Sequence, residues 1–405
     1  MYHPSNLWPF SGSERRFVSL SKVLKQNFQV EFDAIETTPT IDHYMCTFHR
    51  SSPIDLSSQG IYFGLVNWLI YGLKTAMGLI RKTKYDFVYA TNNNLYNLLL
   101  GYLIGKLSHL PLIVVVHHFR WSDYAARGSR SLNFGFNQTY HLMKRNDLST
   151  TDSILRTLGA FFENTVLKRT NAFITISRTV ASQINSLGIK SPIFVSGNGI
   201  DIAFFNSIFE DSTCDDPVYD SIYVGRLDEG KGVLDLLEVW RTIVSRLTNA
   251  KIAIVGNGKL RNKAEVFVKD NKLAHNVEFL GYIDDVDLIL TIRRSRLFVT
   301  LSTTEGWGLA VAEALACGLP VVAYAIPTLC ETFGDCSTVR FAEVGEKEQV
   351  IEIIIDHLTN LHRRREDIVK VSKDFAAKLD WKTVAGKEYE AILKSVQYLN
   401  VGYEK

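Results

Sequence analysis

Four charged side chains and a set of glycines carry the chemistry this sequence can offer. Glu305 and Glu313 lie within Leu301–Ala323, LSTTEGWGLAVAEALACGLPVVA. A strand pattern ends near Leu301, Gly306 and Gly308 flank Trp307, a helical pattern runs from Leu309–Ala310 to Gly318, and a second strand follows Pro320. Strand, glycine loop and helix N-terminus together offer backbone N–H groups and a positive dipole to an anion. Glycine lets a ligand approach the backbone closely. Glu305 then stands at the mouth of the crevice, and Glu313, one turn into the helix, is placed for a neutral hydroxyl such as that of a ribose. The second stretch is Tyr223–Gly232, YVGRLDEGKG, where Arg226 and Lys231 occupy a glycine-rich turn after a strand. Such a pair suits a diphosphate, with Arg supplying a planar fork and Lys a point charge. Each feature alone has an ordinary alternative: a plain strand–helix turn, a solvated glutamate, two surface cations. Their occurrence in one sheet favours the anion site.

The elements that must position these residues alternate along the chain. Short apolar or β-branched runs read as buried parallel strands at Asp86–Ala90, Leu112–Val116, Ala172–Ile176, Ile193–Ser196, Ile222–Val224, Ile252–Val255, Val277–Leu280, Leu297–Leu301 and Pro320–Ala323. Amphipathic stretches such as Val233–Arg246, Leu260–Asn271 and Ala310–Cys317 separate them. This is a doubly wound α/β pattern, and it occurs in both halves. An acidic, aperiodic stretch near Asp201–Val218 divides the chain into a first domain over 1–205 and a second over 206–380. Trp381–Leu399 reads as a long helix within a third segment, 381–405, expected to pack back on the first domain.

The 405 residues suit two domains, and 46% apolar with 22% charged residues excludes a disordered or fibrous chain. Five scattered cysteines (Cys46, Cys214, Cys317, Cys330 and Cys336) form no CxxC pair, which argues against a zinc ribbon or a disulfide framework and for a reducing compartment. Residues 1–200 carry 20 Lys+Arg against 11 Asp+Glu, whereas residues 201–405 carry 25 against 32. A balance of +9 favours an anionic partner. The basic residues form no run, so nucleic acid is not expected. Phe119–Arg145 mixes five basic residues with aromatic ones, as a polar–apolar interface favours. Ile61–Ile80 and Leu95–Val116 are interrupted by polar residues and read as buried elements rather than membrane spans. Met1–Phe10 shows no signal peptide. The expected location is the cytoplasm, with peripheral attachment to the inner face of the cell membrane.

These stretches resemble family 4 of the retaining nucleotide-sugar glycosyltransferases. Glu305 and Glu313 have that family's EX7E spacing, Gly225-Arg226-Leu227 with Lys231-Gly232 is similar to its GRL…KG loop, and Asn198-Gly199-Ile200-Asp201 to its NGxD. The resemblance implies the GT-B fold, two Rossmann-like domains facing across a cleft. By the same resemblance, Arg226 and Lys231 hold the donor diphosphate, Glu305 binds the sugar and Glu313 the ribose. Backbone groups of Gly308, Leu309 and Ala310 face the phosphates, and Tyr282 lies near the base. His117 faces the donor sugar, with His118 as its substitute, and Gly12-Ser13 stands for the acceptor-side Gly-Gly loop. One departure is that only Met1–Trp8 precedes that loop, too little for the family's first strand, so either the start lies too far downstream or the first strand is truncated.

The implied reaction moves a hexose from a nucleotide-diphosphate sugar to a glycan or lipid-linked acceptor, with retention of configuration. It calls for no cofactor and no metal: Asp284-Asp285 reads as a helix cap rather than a metal motif. A catalytically silent nucleotide-sugar-binding subunit on the same scaffold is the main alternative. A solute-binding protein would need an export signal, and a phosphorylase a cofactor lysine that is not found.

Overall fold

A computed structural model describes residues 12–36, 47–50, 61–117, 163, 165–211, 217–360 and 365–402. They form two compact units. One contains the described residues from 12 to 197 together with 384–402, and the other those from 198 to 383.

The first unit begins with helix α1 (Gly12–Phe28), followed by β1 (Asp33–Glu36) and β2 (Thr47–Arg50), which pair with each other in parallel. Helix α2 (Ile61–Ile80), β3 (Val88–Ala90), α3 (Leu95–Ser108), β4 (Leu112–Val116), β5 (Ala172–Thr175), α4 (Arg178–Ser186) and β6 (Ile193–Val195) follow. Strands β3 to β6 form a parallel sheet in sequence order. All five residues of β4 are buried, the mark of a strand covered on both faces. Val114, Val116, Phe173 and Leu98 share its core. Ser177 caps α4 by accepting a hydrogen bond from the Val180 N–H.

The second unit contains α5 (Ile202–Asp211), β7 (Ser221–Val224), α6 (Val233–Arg246), β8 (Ile252–Val255), α7 (Arg261–Asp270), β9 (Val277–Gly281), α8 (Asp285–Arg293), β10 (Phe298–Thr300), α9 (Leu309–Ala316), β11 (Val321–Tyr324), α10 (Pro327–Phe333), β12 (Val339–Ala342), α11 (Lys347–Asn360) and α12 (Arg365–Ala377). Its six strands run in the order β12-β11-β10-β7-β8-β9, with every pairing parallel. The sequence moves outward from β7 to β9, then returns to β7's other side at β10. That reversal makes the carboxyl ends of β7 and β10 the natural crevice of such a sheet. Helix α13 (Trp381–Gly402) starts in the second unit, and its residues from Val384 onward belong to the first.

The two doubly wound sheets are those read from the apolar runs, with ends differing by one or two residues. Three strands escaped that reading. β1, β2 and β12 are four residues each and carry charged side chains; β12 lies at the sheet edge, where Arg340 is exposed. A strand covered on one side only needs no continuous apolar run. Ile61–Ile80 is a helix, and Leu95–Val116 a helix and a strand. No helix among the described residues is long and apolar enough to cross a membrane. The segment Phe119–Arg145, His118 and the stretch before Gly12 lie outside the described residues.

Candidate functional site

The loop after β7 (225–232) and the loop after β10 (301–308) lie against each other. Gly232 has φ +73°, and a Cβ there would collide with the Leu301 carbonyl. The Thr303 N–H donates to the Gly230 carbonyl at 2.9 Å. Only a residue without a side chain, in a left-handed conformation, permits this approach. It brings Lys231 Nζ to 2.7 Å from Glu305 Oε1. Both side chains remain about one-fifth exposed, at 22% and 20%. Arg226 is 75% exposed and pairs with Asp228 Oδ2 at 3.0 Å.

The β7–α6 loop is fixed from below and from one side. Tyr223, fully buried in β7, places its hydroxyl 3.1 Å from the Arg226 carbonyl and 3.2 Å from the Lys231 carbonyl. Burial, then the Glu305 and Asp228 carboxylates, push the Tyr223 phenol up, so it stays protonated. The Leu227 N–H donates to the Asn257 carbonyl, and the Leu260 N–H to the Leu227 carbonyl. On the other loop, the Thr328 hydroxyl donates to the Glu305 carbonyl at 3.0 Å.

Helix α9 starts at Gly308, φ +100°, where a Cβ would fall 2.5 Å from Leu329 Cδ2. No side chain caps it, so the N–H groups of Leu309 and Ala310 open its first turn. Glu313 is half-buried on the same helix. Burial, with Glu313 nearby, pushes the Cys317 thiol up and keeps it from acting as a nucleophile. Tyr282 is 52% exposed and follows β9, two strands away from β7. Asp284 caps α8 by accepting from the Asp287 N–H at 2.9 Å, as the sequence suggests. Among the described residues no three His, Cys, Asp or Glu side chains gather to hold a metal ion.

The remaining candidates belong to the first unit. Gly12 and Ser13 are the opening residues of α1. His117 follows β4, and its Nε2 lies 3.0 Å from the Thr91 carbonyl. A carbonyl only accepts, so Nε2 carries the hydrogen and Nδ1 keeps a lone pair. Burial, then the Arg16 charge, push the imidazole down to about 3. Arg16 itself is buried; its Nη2 lies 2.6 Å from Glu388 Oε2 and donates to Ser196 Oγ at 2.8 Å and the Gly197 carbonyl at 3.2 Å. The Tyr89 hydroxyl donates to the other Glu388 oxygen.

The structure therefore brings Lys231 and Glu305 together at the β7–β10 crevice, beside the α9 N-terminus, with Glu313 on that helix and Arg226 on the Lys231 loop, where it pairs with Asp228. Tyr223, Asp228 and Thr328 were not singled out from the sequence. Tyr223 sits in an apolar run and looks like core, although an aspartate two residues after Arg226 was a visible cue for a pair.

The model for glycosyl transferases group 1 matches residues 205–374, and the model for glycosyltransferase family 4 matches residues 10–204. An uncharacterized glycosyltransferase of Methanocaldococcus jannaschii is 26% identical over 238 residues, 58% of this chain and 63% of that one. The chain thus spans less than two thirds of that relative's length. Sucrose-phosphate synthase from Thermosynechococcus elongatus has the same fold, with TM-score 0.69 and 17% identity over 95% of this chain and 94% of that one. Anabaena HepE, solved in complex with UDP, has TM-score 0.67 and 16% identity over 95% and 96% of the two chains. The two sheets are those of the GT-B architecture, and residues 10–374 are matched in two adjoining halves by these two glycosyltransferase models.

Proposed function

We propose that the chain transfers a hexose from a nucleotide-diphosphate sugar to a glycan or lipid-linked acceptor, with retention of configuration and without a metal ion or other cofactor. The observation that carries this reading is the meeting of Lys231 and Glu305, 2.7 Å apart and solvent-accessible, beside the uncapped N-terminus of α9. A cation, a carboxylate and a helix dipole at one crevice match a ligand with a diphosphate next to a sugar.

Cleavage of the sugar–phosphate bond leaves positive charge on the sugar and negative charge on the departing diphosphate. Lys231, Arg226 and the N–H groups of Leu309 and Ala310 stabilise the diphosphate. Glu305 accepts from sugar hydroxyls, and Glu313 from the ribose. Tyr282 lies by the base. An oxygen of the leaving phosphate takes the acceptor's proton on the same face, so no protein nucleophile is needed. His117, neutral with its Nε2–H committed to Thr91, offers Nδ1 as an acceptor to a sugar hydroxyl. Gly12 and Ser13 serve the acceptor side. For the acceptor's surroundings, the +9 balance of residues 1–200 supports docking on an anionic membrane. Equal recovery in the supernatant with anionic and neutral vesicles would remove that element.

The test of the reaction is transfer from UDP-, GDP- and ADP-linked hexoses by the wild type and by Glu305→Gln. UDP is the first choice because HepE was solved with it. The expected result is product formation by the wild type, with most turnover lost in Glu305→Gln while nucleoside diphosphate binding is kept. Binding without turnover by the wild type, on any acceptor offered, selects the silent binding subunit instead.

A further inference from the structure

The two cations of the crevice share one support. Arg226 and Lys231 are five residues apart on the loop after β7, and their carbonyls converge on the Tyr223 hydroxyl at 3.1 and 3.2 Å. One hydroxyl has one proton, so the two carbonyls share a single donor. The Tyr223 side chain is out of solvent, at the buried foot of the loop. An unsatisfied carbonyl at such a place is costly, so the hydroxyl fixes how both ends of the loop sit. Gly225 adds a second constraint: a Cβ built there lies 3.0 Å from the Tyr223 oxygen, so the hydroxyl passes close under the backbone at the loop's start.

We infer that Tyr223 is a positioning residue for the diphosphate, setting Arg226 and Lys231 through the backbone on which they stand rather than touching the ligand. The inference rests on the donor-site reading above. Arg226 is the side chain that needs this most. It is three-quarters exposed, it pairs with Asp228 of the same loop, and its direction follows the turn that carries it. The loop has other attachments, from Gly225 to Val255, Leu227 to Asn257, Leu260 to Leu227, Lys231 to Asp228 and Thr303 to Gly230, but none of them uses the carbonyls of Arg226 and Lys231, which face the Tyr223 hydroxyl.

The test is calorimetric binding of UDP, GDP and ADP to the full chain and to Tyr223→Phe, which keeps the ring in the core and removes only the hydroxyl. The expected result is a loss of roughly 2–10-fold in affinity for the nucleotide the wild type binds, the range of one hydrogen bond. A steady-state assay should show a raised donor KM with a smaller change in kcat. The diagnostic is the same substitution made in Arg226→Ala and in Lys231→Ala. Because Tyr223 acts through these side chains, its effect should shrink in each background. Gly225→Ala, which crowds the hydroxyl without altering the ring, should weaken binding in the same direction and serves if Tyr223→Phe does not fold. Unchanged affinity in Tyr223→Phe, or an undiminished effect in both backgrounds, overturns the inference while leaving the donor site intact. Failure of the wild type to bind any of the three nucleotides would instead overturn the donor-site reading itself, and the inference with it.

Discussion

Two ion pairs of nearly equal length stand beside the carboxyl ends of the two sheets, and they differ in burial and in partners. In the second unit Lys231 and Glu305 meet at 2.7 Å with about a fifth of each side chain exposed. In the first unit Arg16 and Glu388 meet at 2.6 Å with 2% and 0% exposed. Arg16 is saturated by Ser196, Gly197 and Glu388, and Glu388 also accepts from Tyr89. Charges so thoroughly partnered are unavailable to a ligand, so they fix structure. The pair near the surface costs little to open, and under the proposed function its two members turn to an incoming diphosphate and sugar. Distance alone does not separate a structural pair from a binding pair; burial and the number of remaining partners do.

The comparison breaks most visibly at Glu388. Glu388→Gln should leave the buried Arg16 charge uncompensated and destabilise the first unit by roughly 3–5 kcal/mol, whereas Glu305→Gln should cost under about 1 kcal/mol. Denaturant unfolding of the two variants side by side measures the contrast, and equal losses would sink it. Arg16→Met with Glu388→Leu should recover most of the first loss, since an apolar pair of similar volume needs no counter-charge.

Binding should show the reverse order. Arg226→Ala and Lys231→Ala should each weaken nucleoside diphosphate binding by about 1.5–3 kcal/mol with little change in melting temperature. The two losses should not add, because both cations serve one diphosphate. Full additivity in a double-mutant cycle would show that they contact different groups.

Acidification sharpens the contrast between the units. His117 is held down to about 3 by burial and by Arg16, and His357 in the second unit down to about 4 by burial and by Arg340. In both cases the unfolded chain takes up a proton near pH 6.5 that the folded chain refuses. The stability is therefore present above about pH 6.5 and is lost as the pH falls toward 3 in the first unit and toward 4 in the second. Replacing His117 by Gln should flatten that slope for the first unit, read from unfolding at several pH values. A slope unchanged by the substitution would show that His117 is not the group responsible.

The smallest expected effect is none. Transfer in excess EDTA should match the untreated rate, because Arg226 and Lys231 supply the positive charge at the crevice. Loss of activity restored by magnesium or manganese would show that these cations do not suffice.

Much of the fold was legible because a strand buried on both faces must be apolar throughout. Leu112–Val116 and Ile252–Val255 stand out for that reason, and their observed ends are those expected. Helix α6 was equally plain, from an amphipathic Val233–Arg246 behind Gly232. β12 was not, because it is a four-residue edge strand interrupted by the exposed Arg340, too short and too mixed to read as an apolar run. At the candidate site, Arg226, Lys231 and Glu305 stand out in the sequence because charged residues among glycines at strand ends are poor core and poor helix surface, whereas Glu313, inside α9, stands out only by its spacing from Glu305. Tyr223 was not, because an aromatic residue in an apolar strand is what a core requires anyway.

The sequence by itself determined where the strands lie, which glycine loops follow them and which charged residues those loops carry, since these depend on local pattern and steric freedom. Only the tertiary structure decided that the loop after β7 meets the loop after β10, 74 positions later for the Lys231–Glu305 contact. It also decided that Arg16 and Glu388, 372 positions apart, form a pair out of water. The reason is that sheet order and burial are set by the packing of all the strands and helices together. A charge becomes a binding group or a structural one according to how much solvent that packing leaves it.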